Sequence, residues 1–493
     1  MRSLPTARST ATFPWAGGTM RARRRANPAT AGRFSLIAEL RRLATLRNGV
    51  LAALVLTYIW RYHDMAAILQ PFRLAAIATV ASWGYLVFEP RMSQLGRALK
   101  LPYVWMLVVW MLWVAATSPA AIDPDRAWDA WLNTHSKSLT MALFTLTCLV
   151  SFRAVRGLMA VHVLGAATLT YFYVKGGFPL WGTPVSMYDV NDLALLLNMV
   201  LPMTLYFAFS EKDTKIKAVL WIIAGMMAVS ILMTQSRGGF LTLGLLLLVL
   251  WVRVRGIKWW VRLVPAIALV VGFFFLPASV QDRLSTLFSP TEDYNYADQE
   301  GRVEIWKRGM GYLADRPITG VGTLNFPVAE ATLSPQAQRG LPAGARVSHN
   351  SFVEVATETG YPGIILYLGM FLTAFLALFR LRRTCARVRG SSQAAELTLC
   401  ADCLMLSLMA FCVGGFFLSM GYIAMLFSLF ALIAGLEITA AQWLAAGSPA
   451  ASATLSNGFG GRMSRRISGH SRPVGRRGFD AESLPPLARP GRA

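Results

Sequence analysis

An all-α, polytopic membrane fold of about twelve helices is what the sequence predicts. The 493 residues are 55% hydrophobic and 15% charged, with mean hydropathy +0.46, a combination that soluble domains rarely show. Apolar runs of spanning length recur along the chain, and the charged residues concentrate in the connections between them. The net charge of +23 would suggest nucleic acid in a soluble protein. Its confinement to connections makes it a topology signal instead.

The spans read in order as 49–60, 74–89, 101–119, 138–153, 157–174, 191–209, 218–234, 239–253, 259–277, 361–379, 397–419 and 421–438. Several need flanking residues to cross a hydrocarbon core of about 30 Å. Basic connections hold Arg91, Arg97 and Lys100; Arg153 and Arg156; Lys212, Lys215 and Lys217; Arg253, Arg255 and Lys258; and Arg380, Arg382, Arg383, Arg387 and Arg389. They alternate with the segment of Asp123, Asp125 and Asp129 and with one long polar loop in which acids and bases nearly balance. The positive-inside rule then places both termini in the cytoplasm and the long loop outside, as an even number of spans also requires.

This gives five regions: a basic, disordered cytoplasmic tail over 1–33; nine spans over 34–277; the outer loop over 278–348, with short amphipathic helices; three spans over 349–440; and a second basic, disordered tail over 441–493. The first tail has the composition of a transit peptide as well as of an orienting tail, and the spans that follow favour the orienting role. No apolar stretch directly follows the Arg21–Arg25 cluster, so no cleavable signal peptide is expected. Of the cysteines, Cys148, Cys400, Cys403 and Cys412 fall in apolar spans and Cys385 does not. The Cys400–Cys403 pair has redox or zinc spacing, but within a span it reads as small apolar side chains. Asp402 between them must pair, protonate or face water.

Ser348-His349-Asn350-Ser351-Phe352-Val353-Glu354-Val355-Ala356-Thr357-Glu358-Thr359-Gly360 closes the outer loop. Ionisable groups at a membrane boundary are costly to desolvate and mark sites. Ser348 is expected to cap a helix that begins near His349, with Asn350, Glu354 and Glu358 along one stripe. A histidine at that helix N-terminus suits an anionic ligand and can accept a hydroxyl proton; it can equally be an interfacial or capping group. Gln235-Ser236-Arg237-Gly238-Gly239-Phe240-Leu241 is a polar turn between apolar runs. Arg237 offers a planar fork for phosphate oxygens, or it snorkels beside a hairpin. Within the loop, Gly301–Met310 has the pattern of an interfacial amphipathic helix, with Trp306 as anchor and Arg302 turned to a phosphate, while Lys307 and Arg308 read as a solvated face. Arg316 and Arg346 are further outer-side cations. Asn191 and Asp192 can line a polar cavity, and Asp189 reads as a helix cap. His63, His135, His162 and His470 form no i, i+4 ligand pair, so no metal site is expected.

On these motifs the chain resembles the O-antigen ligase superfamily, which includes O-antigen ligases, O-antigen polymerases and bacterial protein O-oligosaccharyltransferases. Arg237 and Leu241 meet its Arg-x-x-x-Leu motif, and His349, Asn350 and Gly360 its His-Asn-x9-Gly motif. The long loop, the helix layout and Asn191 agree, and the likeness covers roughly 140–440. The resemblance implies glycan transfer, without metal, nucleotide or other cofactor, at the periplasmic face of the bacterial inner membrane. An undecaprenyl-diphosphate-linked saccharide is the implied donor, and its diphosphate is held by Arg237 and Arg302. His349 is the implied catalytic residue, with inversion at the anomeric carbon; Gln235, Ser236, Gly238, Asn350, Glu354, Glu358, Asn191 and Trp306 support it. A glycan, lipid or protein hydroxyl is the acceptor, membrane lipids surround the protein, and nucleic acid is not a partner. Gly360-Tyr361-Pro362-Gly363 lacks the Thr many lipopolysaccharide ligases place three residues after this glycine, and Asp189-Val190-Asn191 replaces an Asp-Pro-Asn. Both departures bear on the acceptor. The competing class is an exporter or flippase of lipid-linked glycan, which would place its polar groups near the midplane.

Overall fold

A computed structural model describes residues 45–62, 67–88, 92–176, 188–253, 281, 301–340, 344–388 and 390–447. The expected span 259–277, the first tail, the second tail beyond Gly447, His63, His470 and most of 278–300 lie outside the described residues, while residues 441–447, expected to be disordered, continue a helix. All regular structure among the described residues is helical. The chain runs through α1 (Leu46–Tyr58), α2 (Leu74–Phe88), α3 (Met92–Ala98), α4 (Pro102–Thr117), α5 (Pro124–Ala130), α6 (Ser136–Cys148), α7 (Phe152–Val174), α8 (Val190–Ser210), α9 (Thr214–Met233) and α10 (Arg237–Arg253). It continues through α11 (Arg302–Asp315), α12 (Phe326–Leu333), α13 (Pro335–Gln338), α14 (Ser351–Arg387), α15 (Ser392–Gly414) and α16 (Ala424–Gly447). Residues to Ala440 make one compact unit; of the second, Ala441–Ala493, the described residues are the last turns of α16.

This is a multi-pass membrane protein. Among the described residues, Pro102–Ala120, Phe152–Val174, Val190–Ser210, Thr214–Met233, Ser351–Arg387, Ser392–Phe417 and Ala424–Ala446 are long and apolar enough to cross a bilayer. Shorter apolar helices are Leu46–Tyr58, Leu74–Phe88 and Arg237–Val252. Burial sorts them into layers. The apolar stretches of α8, α16 and α15 are 89%, 83% and 78% buried, and α8 packs against α15 in the interior, while α9 at 28% presents Val219, Trp221, Ile222 and Val229 to the surroundings. A helix apolar on all sides is what lipid permits and water does not.

Asp402, half-way along α15, is paired: Arg382 Nε of α14 lies 3.0 Å from its Oδ1, the partnership a carboxylate within a span requires. Cys400 and Cys403 are buried thiols, Cys400 against Met159 Sδ (3.6 Å), as their apolar setting suggested.

The polar loop folds back on α14. In α11, Ile305, Gly309, Tyr312 and Leu313 are buried, whereas Met310 is exposed. Gly309 brings α11 so close to α14 that a Cβ there would lie 3.0 Å from Val353, and Thr357 Oγ1 donates to the Gly309 carbonyl (3.1 Å). Arg308 does not belong to a solvated face. Its guanidinium holds both oxygens of buried Glu330 in α12, which also accepts from Tyr312 (2.9 Å). Lys307 is exposed, as expected.

Candidate active site

Three sequence motifs meet at one turn, Gly415–Gly421, between α15 and α16. Consider first the histidine segment. Asn350, not Ser348, caps α14: its Oδ1 accepts from the amides of Phe352 (2.9 Å) and Val353 (3.1 Å). Ser348 is used otherwise, donating to the Asn350 carbonyl (2.9 Å) and meeting Ser419 Oγ at 3.0 Å. His349 therefore precedes the helix. It adopts a left-handed backbone, φ +49°, uncommon for a residue with a Cβ and costly unless held. What holds it is Ser419, whose Oγ accepts the His349 amide (2.8 Å), together with Trp306 Nε1 donating to the Ser348 carbonyl (2.8 Å). The α14 helix then makes three more bonds to the same turn. Ser351 Oγ donates to Leu418 O (2.7 Å) and accepts from Met420 N (3.0 Å), and Glu354 Oε2 accepts Gly421 N (3.0 Å).

The arginine motif arrives by close approach. Gln235, φ +55°, ends α9 in the left-handed conformation, and Ser236 Oγ accepts Gly239 N (3.2 Å) at the start of α10. A Cβ on Gly238 would stand 2.9 Å from that of Phe417, and one on Gly239 2.8 Å from Ala194 Cβ in α8. The glycines thus seat Arg237 beside the turn and beside α8. Arg302 at the start of α11 donates to Phe417 O (3.3 Å), and Trp306 packs edge-on against Phe416 with centroids 5.2 Å apart. Trp306 thus ties α11 to the histidine segment.

Asp189 caps α8 through a capping box, accepting from Asn191 N (2.7 Å) and Asp192 N (2.8 Å). It also lies within electrostatic reach of His349. Burial is the main force lowering the His349 imidazole, to about 4; the positive charge of Arg302 lowers it further, Asp189 opposes this, and Arg346 adds to it. Asn191 is half-buried in the first turn of α8 beside this cap. At neutral pH His349 is therefore a neutral base with two arginines nearby, and a bound anion would relieve their repulsion of its proton.

Not every expected residue reaches this point. Glu358, one turn below Glu354, is spent on the scaffold: its Oε1 accepts the amide of Phe326 at the start of α12 (3.2 Å). Gly360 is equally structural. With φ +70° and ψ −176°, it breaks α14, and a Cβ there would lie 2.2 Å from Ile318 O. Val321 N and Gly322 N bond the freed carbonyls of Thr357 (2.9 Å) and Glu358 (3.0 Å), and Tyr361 N bonds Pro317 O (2.8 Å). Sequence reasoning missed Ser419 and its turn, which it folded into two apolar spans; the only signal was the Gly414-Gly415 pair and Ser419-Met420-Gly421. It also passed over His135, buried with Nε2 2.8 Å from Thr323 Oγ1, its ring stacked on Tyr422 (centroids 4.5 Å) and its pKa pushed down to about 4 by burial. No group of three or more His, Cys, Asp or Glu fit to hold a metal occurs among the described residues.

Residues 222–368 match the family model described as O-antigen ligase. The match takes in Arg237, Arg302, His349 and Gly360, and supports the superfamily that the motifs resemble. None of the curated proteins matches the chain.

Proposed function

We propose that this protein, which carries an O-antigen ligase domain, transfers a glycan from an undecaprenyl-diphosphate-linked donor to a hydroxyl acceptor at the periplasmic face of the inner membrane. The acceptor is a lipid A core, a growing polysaccharide or a protein. The observation that carries this reading is the single turn, Phe416–Gly421, touched by Arg302, Gly238, His349 and Glu354 from three separate elements. Arg237 and Arg302, charged at every accessible pH, hold the diphosphate. The N-termini of α8, α10 and α14 add partial positive charge on the same side. His349 accepts the acceptor's hydroxyl proton as its oxygen bonds to the anomeric carbon. The carbon–oxygen bond to phosphate breaks, and its electron pair leaves with the diphosphate. One displacement inverts the anomeric centre, and the imidazolium returns its proton to water or to the departing phosphate. With the long loop in the periplasm, about twelve spans and both termini in the cytoplasm, this site faces the compartment in which such donors are consumed.

An exporter of the same lipid would translocate the donor without cleaving it. The test is purified, reconstituted protein supplied with the lipid-linked donor and a hydroxyl acceptor. Transfer requires that undecaprenyl diphosphate and glycosylated acceptor appear in equal amounts, insensitive to EDTA, and that Arg237→Lys be markedly impaired because lysine lacks the bidentate fork. Translocation without diphosphate release would establish the exporter instead.

A further inference from the structure

A groove runs along the antiparallel pair α1 and α2, which are joined by Tyr58 Oη and Thr79 Oγ1 at 2.6 Å. It has a volume of about 630 Å³ and continues past Leu46 and Ala81 into a further 440 Å³ that ends at Phe88. Among the described residues, none that lines either part is charged. Its openness is built in by the sequence. Gly49 and Gly84 are helical, and a Cβ at either would touch nothing within 4 Å among the described residues, so neither glycine serves close packing with them or a turn. Glycine weakens a helix interior, and here it leaves space.

The dimensions choose the occupant. α1 is 13 residues long, about 20 Å, so the larger part of the groove has a mean cross-section of about 30 Å². A helix with its side chains, 10–12 Å across, needs about 80 Å² or more. One hydrocarbon chain lies within it, whereas a helix could only cover it from outside. At the Thr57–Tyr62 end of the groove, α1 meets the segment that leads into α8. Beyond the last turn of α1, the Ile59 carbonyl accepts Tyr188 Oη (2.6 Å), and the next residue, Asp189, is the acid facing His349. Tyr62, which lines that end, donates to Leu164 O (3.3 Å). From there the groove leads away along the apolar helix, over most of a hydrocarbon core of about 30 Å.

We infer that the α1–α2 groove binds the isoprenoid chain of the lipid-linked donor and so aligns its diphosphate with His349. This rests on the transfer reading above. Gly49→Leu combined with Ala81→Leu fills the groove with good helix formers and touches no residue of the site. Reconstituted wild-type protein should turn over an undecaprenyl-diphosphate-linked donor with kcat/KM at least about tenfold above that of its geranyl analogue. The filled variant should lose that preference by slowing on the long chain alone. A filled variant that keeps the wild-type preference overturns the inference. If wild type uses neither donor, it is the transfer reading that fails, and a photoreactive benzophenone side chain in place of Val50 then decides the groove. In vesicles doped with undecaprenyl phosphate, cross-linking to that lipid above its mole fraction supports the inference. Cross-linking only to phospholipid, or to a peptide of this chain, overturns it.

Discussion

His349 occupies a conformation that costs an ordinary residue of order 1–3 kcal/mol, and the surrounding bonds are spent on keeping it there. Its amide is taken by Ser419 and the preceding carbonyl by Trp306, so the imidazole is placed by backbone, not by a helix turn. The same surroundings set its proton affinity. Burial first, and Arg302 second, lower the pKa from 6.5 to about 4. A lowered histidine keeps its neutral, basic form as pH falls, so in free enzyme the acid limb of kcat/KM should lie well below 6.5, towards 4. Arg302→Ala should move that limb up and Asp189→Asn should move it down, since Asp189 is the group that raises the pKa. In the donor complex the diphosphate's negative charge favours imidazolium, so the limb in kcat should sit above the limb in kcat/KM. pH–rate profiles for these variants check it; a kcat/KM limb at 6.5 that neither substitution shifts would detach His349 from the reaction.

At the scale of elements, α14 is two helices joined at a glycine. Gly360→Ala should destabilise the protein by at least about 3 kcal/mol, since it adds left-handed strain and a clash with the Ile318 carbonyl. Thermal unfolding in detergent, with Gly49→Ala as the control whose added methyl meets open space, would show it; equal melting temperatures would mean the kink is dispensable. This glycine also marks the limit of what the sequence can disclose. Helix limits were legible because hydropathy is local: the run 74–89 became Leu74–Phe88, and 191–209 became Val190–Ser210. His349 and Arg237 were legible because polar groups beside apolar runs are costly. Gly360 could be seen but not explained, since its partner is a loop carbonyl from residue 318. The cap moved from Ser348 to Asn350 because both side chains can cap, and Ser348 was claimed by Ser419, seventy-one residues away. The turn at Gly415–Gly421 was hidden in apolar sequence because much of its contribution is made by backbone groups, which carry no sequence signature.

At the scale of the molecule, the account requires the loop holding α11 and α12, the turn at Ser419 and the start of α10 to face one compartment, opposite the basic end of α14. A cysteine introduced in the loop at Gln336 should react with an impermeant maleimide in intact cells whose outer membrane is permeabilised, and one at Arg383 should not. Labelling in the opposite sense would place the site in the cytoplasm and remove a periplasmic donor. The central claim is that His349 performs the proton transfer at this turn. Its most direct test is His349→Ala in the reconstituted transfer assay, at matched expression and melting temperature. The account predicts a loss of about two to four orders of magnitude in glycan transfer, with donor still bound through Arg237 and Arg302; transfer by His349→Ala at a rate near wild type would contradict it.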